Sequence, residues 1–276
     1  EALLQRLTGY YDGYCFEKTA TVRVMNPWSV MSFLIYPTRG FRDHWFQTGG
    51  QPSVLKDLFR SGALKDPKNF AAVKTIPFSQ LGGPAIGENF SEVDLLTQTG
   101  YLTFKSVDGN IAIVDYSTEE VRHAMAGMYL HQLVGKTIEQ AGVMDFAIRL
   151  VKDNPETLVR IFNRLLESVD YEAYSIEDAK SVLAVIQIAM INVRLSPVIK
   201  VIAKGESVLE VQAGERTIVL TLEYCHPDQE AEQLLQVAVS QLDKPFSGKL
   251  GGRMEILKLV LVFSESDRRI TVWSVA

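Results

Sequence analysis

Hydrophobic spacing divides the chain into helical and strand-like stretches. "NPWSVMSFLIY" (26–36) opens with Asn26 and then Pro27 at the first helical position, a capped helix start. "QPSVLKDLFRSGA" (51–63) has helical apolar spacing and closes on Gly62, and "EVDLLTQTG" (92–100) predicts a short helix ending in glycine. "YLTFKSVDGNIAIVDYS" (101–117) alternates on both sides of "DGN", the pattern of a β-hairpin. Ser117 and Glu120 then read as a capping box for a helix over 117–134. Helix, hairpin and helix together predict a small winged-helix-like unit. Residues 138–168 predict two amphipathic helices split near "DNPE".

Beyond "SVDYEAYSIEDAK" (168–180) the pattern changes. A long helix is expected over 176–194. Three strand-like runs follow: "PVIKVIAK", "SVLEVQ" and "RTIVLTLEYC". The turn "AGER" makes the second and third a hairpin. The helix "AEQLLQVAVSQL" (231–242) leads to a continuous apolar strand, "EILKLVLVF" (255–263), and a last strand, "RRITVWSV" (268–275). A helix between consecutive strands implies a parallel crossover, so the order α-β-β-β-α-β-β predicts a mixed sheet covered by helices. The fold class is α/β, or α+β overall, with domains at 1–170 and 171–276.

Composition alters this picture little. With 276 residues, 47% hydrophobic and 22% charged, one or two globular domains are expected. A net charge of −5 argues against a broad electrostatic grip on nucleic acid but leaves room for a local basic groove. Cys15 and Cys225 form no metal-binding cluster. The longest apolar run, "VLAVIQIAMINV", is too short to span a membrane. With no leader-like opening, the expected setting is cytoplasmic.

The nucleotide motifs fail their context tests. "VGKT" (134–137) resembles the end of a P-loop, but Leu130 stands where the motif needs its first glycine. "QLGGPAIGENF" (80–90) lacks a strand–helix setting. No nucleotide site is expected in this chain. His123 and His131 lie eight apart on one helix and are expected to share a face as ordinary helix residues; no catalytic triad is apparent.

The anomaly lies in "VLTLEYC" (219–225), an apolar strand that carries Glu223 two residues before Cys225 on the same face. Glu210 ends "SVLE", thirteen residues earlier, and the turn between them is expected to bring the two carboxylates side by side. Paired carboxylates at strand ends suit a divalent cation that polarises a phosphodiester and activates water. A lysine two residues beyond the second acid commonly completes such a site.

These residues carry a specific resemblance. "LTGYYDGYCF" (7–16), "VMNPWSVMSFL" (24–34), "HWFQTGGQPSVLKDL" (44–58), "LLTQTGYLTFK" (95–105), "SVLEVQAGERTIVLTLEYC" (207–225), "EAEQLLQVAVSQLDKPF" (230–246) and "ILKLVLVFSESDRRITVWSV" (256–275) resemble a prokaryotic family. Its members join an AAA-ATPase-like region to a C-terminal PD-(D/E)XK nuclease-superfamily domain. The resemblance implies a restriction-endonuclease-like fold for 171–276. It also implies an ATPase core whose P-loop lies outside these residues. Its Gly-Arg-x-Asp strand falls on Ser207, Val208 and Glu210, and its Glu-x-Lys strand on Glu223 and Cys225. Its helix glutamine falls on Gln236 and a later tyrosine on Leu242, with Glu177 and Lys180 nearest to an acid and a polar residue of the first helix.

The expected metal ligands are Glu210 and Glu223, binding Mg²⁺ or Mn²⁺ if the site is active, with Gln236 orienting it. Cys225 breaks the pattern, because a thiol supplies no positive charge. Three readings stay open. Catalysis is lost and the fold kept; or a lysine comes from Lys180, Lys200 or Lys204; or the acids are polar residues of a solvated face. The partner is accordingly DNA, with Arg194, Lys200 and Lys204 as a basic groove, or else a protein or a second copy of the chain bound by a non-catalytic scaffold.

Overall fold

A computed structural model describes residues 1–17, 19–47, 66–80, 91–135, 141–201, 207–242 and 255–276. The expected helix over 51–63, nearly all of the glycine-rich loop at 80–90, the last two residues of "VGKT", and Lys204 lie outside the described residues. The chain forms two compact units, one of Glu1–Leu64 and Ala71–Met125 and the other of Lys65–Phe70 and Ala126–Ala276.

The first unit opens with α1 (Ala2–Tyr11) and a two-stranded antiparallel pair, β1 (Asp12–Tyr14) and β2 (Val24–Met25). Helix α2 (Pro27–Ile35) starts as expected: the Asn26 side chain accepts from the backbone N–H groups of Trp28 and Ser29, and Pro27 occupies the first turn. Leu7, Tyr11 and Phe33 form a core cluster, flanked by Tyr10, Val30 and Phe41. The short helix α3 (His44–Gln47) follows.

β3 (Lys74–Pro77), α4 (Glu92–Gln98), β4 (Leu102–Asp108) and β5 (Ile111–Tyr116) complete this unit up to α5 (Glu119–Leu133), which carries the chain into the second. The β4–β5 hairpin forms where expected, turning at Gly109 with φ 58°, and β3 adds to its β5 side in the order β3-β5-β4. The expected capping box does not form. Thr118 Oγ1 accepts from the Val121 N–H, Ser117 donates to the Gly100 carbonyl, and Glu120 turns elsewhere. A hydroxyl three residues before the N–H it satisfies is the ordinary N-cap geometry, and Thr118 is one step better placed than Ser117.

The second unit contains α6 (Phe146–Lys152), α7 (Pro155–Leu166), α8 (Ala179–Asn192), β6 (Val198–Val201), β7 (Ser207–Ala213), β8 (Arg216–Cys225), α9 (Ala231–Leu242), β9 (Glu255–Ser264) and β10 (Arg269–Val275). Its five strands lie in the order β10-β9-β8-β7-β6. All neighbours are antiparallel except β8 and β9, which run parallel across the α9 crossover. This is the expected mixed sheet. Helix α8 is buried at every position from Ser181 to Ile191, which explains its apolar residues on all sides. It packs on β6, β7 and β8, while α9 packs on β8, β9 and β10. With helices over it, β9 is a continuous apolar run.

Residue 170, the expected domain boundary, falls inside this unit. Val134 and Val169 pair as an isolated bridge, and Gly135 N–H donates to the Ser168 carbonyl. Buried Asn163 of α7 donates to the Ile270 carbonyl at 2.9 Å and accepts from its N–H at 2.7 Å. That pair satisfies the backbone of edge strand β10 where its register shifts. The α/β fold class therefore holds, with α6 and α7 joined to the sheet.

Candidate functional site

The β7–β8 hairpin turns at Gly214, with φ 62°, and Glu215, so Ala213 pairs with Arg216. Everything downstream follows from that tight turn. Val211 lies opposite Ile218, Glu210 opposite Val219, and Val208 opposite Thr221. Glu210 and Glu223 thus share a face but stand four residues out of register. At about 3.3 Å per residue, that is about 13 Å along the strands, plus about 4.8 Å across them. The expectation that the turn sets the carboxylates side by side is corrected by this register.

Their surroundings separate them further. Lys200 Nζ lies 2.6 Å from Glu210 Oε2, an ion pair across β6 and β7, half-exposed on the lysine side. Lys200, one of three candidates to replace the missing lysine, is therefore engaged by Glu210. Glu223 is partly buried in β8, level with Val262 of β9. Cys225 is buried beside Ser264. Its thiol faces the carbonyl oxygens of His226 and Gln229, at 3.6 and 3.5 Å. Burial, with Asp228, Glu232 and Asp267 nearby, pushes that thiol above its ordinary value. His226 Nδ1 pairs with Glu265 at 2.8 Å, and the Cys225 thiol turns to backbone carbonyls, so no nucleophile–base pair forms there.

The remaining predicted residues are dispersed. Gln236 is exposed on α9. Glu177 and Lys180 are exposed around the N-cap of α8, where Asp178 accepts from the Ser181 N–H and pairs with Lys68 at 3.0 Å. Arg194, exposed, has a φ of 66° just past α8. Among the described residues no three His, Cys, Asp or Glu side chains converge as a metal site would require. A single divalent ion held by both Glu210 and Glu223 does not fit this register, because metal–oxygen bonds are about 2.0–2.6 Å. His123 and His131 do not share a face either. Eight residues at 100° each leave them about 80° apart, with His123 buried and His131 exposed.

Sequence reasoning missed the buried polar cluster of the first unit. Glu120, fully buried, accepts from Ser29 Oγ at 2.9 and 2.7 Å and from the Trp45 N–H at 2.9 Å. Burial raises its carboxyl to about 7; the bonds from Trp45 and Ser29 oppose that rise and Asp43 adds to it. Tyr10 OH bridges Asp43 at 2.8 Å and His123 Nδ1 at 3.0 Å. The signal was present, since Glu120 lies in the first turn of a helix, but it was absorbed by the capping-box pattern.

No family model, curated protein or solved structure matches this chain. No helix among the described residues is long and apolar enough to cross a membrane.

Proposed function

We propose that the second unit is a PD-(D/E)XK-like module that holds nucleic acid without cutting it. The reading rests on the sequence resemblance to AAA-ATPase-like proteins with a C-terminal nuclease domain. The observation that carries it is the β7–β8 register, which parts Glu210 from Glu223 while Lys200 neutralises Glu210. Cleavage needs metal ligands and a cation around one phosphate. Here the acids are apart, and the position of the usual lysine holds a buried thiol of raised pKa. The α-β-β-β-α-β order and the exposed Arg194 support retention of a nucleic-acid face.

A second reading is a protein-interaction or self-assembly module. It is favoured by edge strand β6, whose Val198 and Val201 are exposed, and by the net charge of −5.

The test measures binding and cutting together. Fluorescein-labelled double-stranded DNA, single-stranded DNA and RNA are titrated in EDTA and followed by anisotropy, then incubated in Mg²⁺ or Mn²⁺ and run on a gel. Binding with no cutting, unchanged in Cys225→Lys, supports the proposal. Metal-dependent cutting lost in Glu223→Ala refutes its non-cleaving part. Absence of binding to all three leaves the interaction module, for which sedimentation would show an oligomer sensitive to Val201→Lys.

A further inference from the structure

Helix α2 presents two faces. Ser29 and Phe33 enter the core of the first unit, while Trp28, Ser32, Ile35 and Tyr36 recur at helical spacing on another side. That second stripe does not pack inward; Trp28, Ile35 and Tyr36 are each more than half exposed. Instead it forms one wall of a cavity of about 300 Å³, within the range of small-ligand sites. The rest of its lining comes from the chain that follows the helix: Arg39, Arg42 and His44.

The chemistry of that wall is incomplete. The Arg39 guanidinium lies 4.3 Å from the centre of the Tyr36 ring, and Arg42 Nε donates to the Arg39 carbonyl at 3.1 Å. Among the described residues neither guanidinium pairs with a carboxylate. His44 is only 7% exposed, and its buried Nε2 has no hydrogen-bond partner among the described residues. An unsatisfied buried imidazole nitrogen is costly unless something else completes it. Burial, Arg42 and Arg39 lower the His44 pKa, against Asp43, so the ring is neutral at pH 7.

We propose that this cavity binds a nucleotide, with its phosphate on Arg39 and Arg42 and its base along the Trp28–Tyr36 stripe. Guanidinium forks suit phosphate oxygens, and aromatic faces suit a base. Trp28 lies in the first turn of α2 and Tyr36 caps its end, about 12 Å of backbone rise apart, so the stripe is longer than one phenyl ring. The source is a free mononucleotide or the 5′-phosphorylated end of a strand. This site lies in the first unit and does not depend on the nuclease-like reading of the second.

The test titrates the whole chain by calorimetry with adenosine 5′-monophosphate, inorganic phosphate, adenosine, phosphotyrosine and a 5′-phosphorylated tetranucleotide. The His44 imidazole is followed by NMR alongside. Saturable binding of the monophosphate is expected, at least tenfold tighter than phosphate or adenosine alone. It should weaken at least tenfold in the double variant Arg39→Gln/Arg42→Gln and in Trp28→Ala, all exposed positions whose fold is checked by circular dichroism. An anion between the arginines should also raise the His44 pKa. Binding of the tetranucleotide alone, with the same variant losses, assigns the site to strand ends. The proposal is overturned if neither nucleotide ligand binds, if the variants bind equally well, or if phosphotyrosine binds more tightly than both.

Discussion

Glu120 should make the first unit less stable as the pH rises. The carboxyl has an ordinary value of 4.5 and is raised to about 7 in the folded chain. Between those values the unfolded chain has lost its proton while the folded chain keeps it, so stability falls with increasing pH. The full contribution is present below about pH 4.5 and lost above about pH 7. At about 1.4 kcal/mol per pH unit, the whole effect is about 3 kcal/mol, of which about 2.5 falls between pH 5 and pH 8. The bonding pattern agrees with a neutral acid: one oxygen accepts from Trp45, and the other can share its proton with Ser29 Oγ. Glu120→Gln keeps that pattern with no titration, its amide oxygen on Trp45 and its amide N–H on Ser29. In a Trp273→Phe background the fluorescence reports Trp28 and Trp45, both in the first unit. Urea unfolding at pH 5, 6, 7 and 8 should then show a downward slope for the parent that is absent in Glu120→Gln, with the variant the more stable at pH 8. Parallel slopes for the two would refute the reasoning.

Three further outcomes follow from the second unit. Asn163→Leu leaves the Ile270 N–H and carbonyl buried without their partner, and should lower stability by about 2–3 kcal/mol in urea titrations. Lys200→Ala, by contrast, breaks a half-exposed ion pair and should cost under about 1 kcal/mol, an effect that shrinks further in added salt. Cys225, buried and with a raised thiol pKa, should resist iodoacetamide at pH 7.5 and react only as urea opens the sheet, as read by peptide mass spectrometry.

Periodicity made most of the elements legible, because it reports which side of an element is buried. The run 255–263 appears as β9, the helix over 231–242 as α9, and "DNPE" does split α6 from α7, with Asn154 capping the second. Caps were legible where one residue type had a single use, as at Asn26. They failed at Ser117 and Glu120, where two adjacent hydroxyls precede the helix and the acid has a distant partner in Ser29. Contacts between residues 91 positions apart leave no local trace. The same holds for the cavity wall: Arg42 and His44 join Arg39 and Trp28 only after Gly40, with φ 71°, turns the chain.

The acid pair shows the limit most clearly. Strand alternation has a period of two, so it assigns Glu210 and Glu223 to one face for any even displacement between them. A register in which they are neighbours and one in which they stand four residues apart give the same pattern. The choice is made by the turn, where Gly214 and Glu215 close the hairpin, and is then held from the other side. Strand β8 pairs with β9 over ten consecutive residues, Arg216 with Glu255 through Cys225 with Ser264. Sliding β8 by four residues to bring Glu223 level with Glu210 would break both ladders and displace the buried row Ile218, Leu220 and Leu222. A lysine restored at position 225 would therefore arrive beside one acid and not two. The missing lysine is the visible departure in the sequence, but the register is the deeper one.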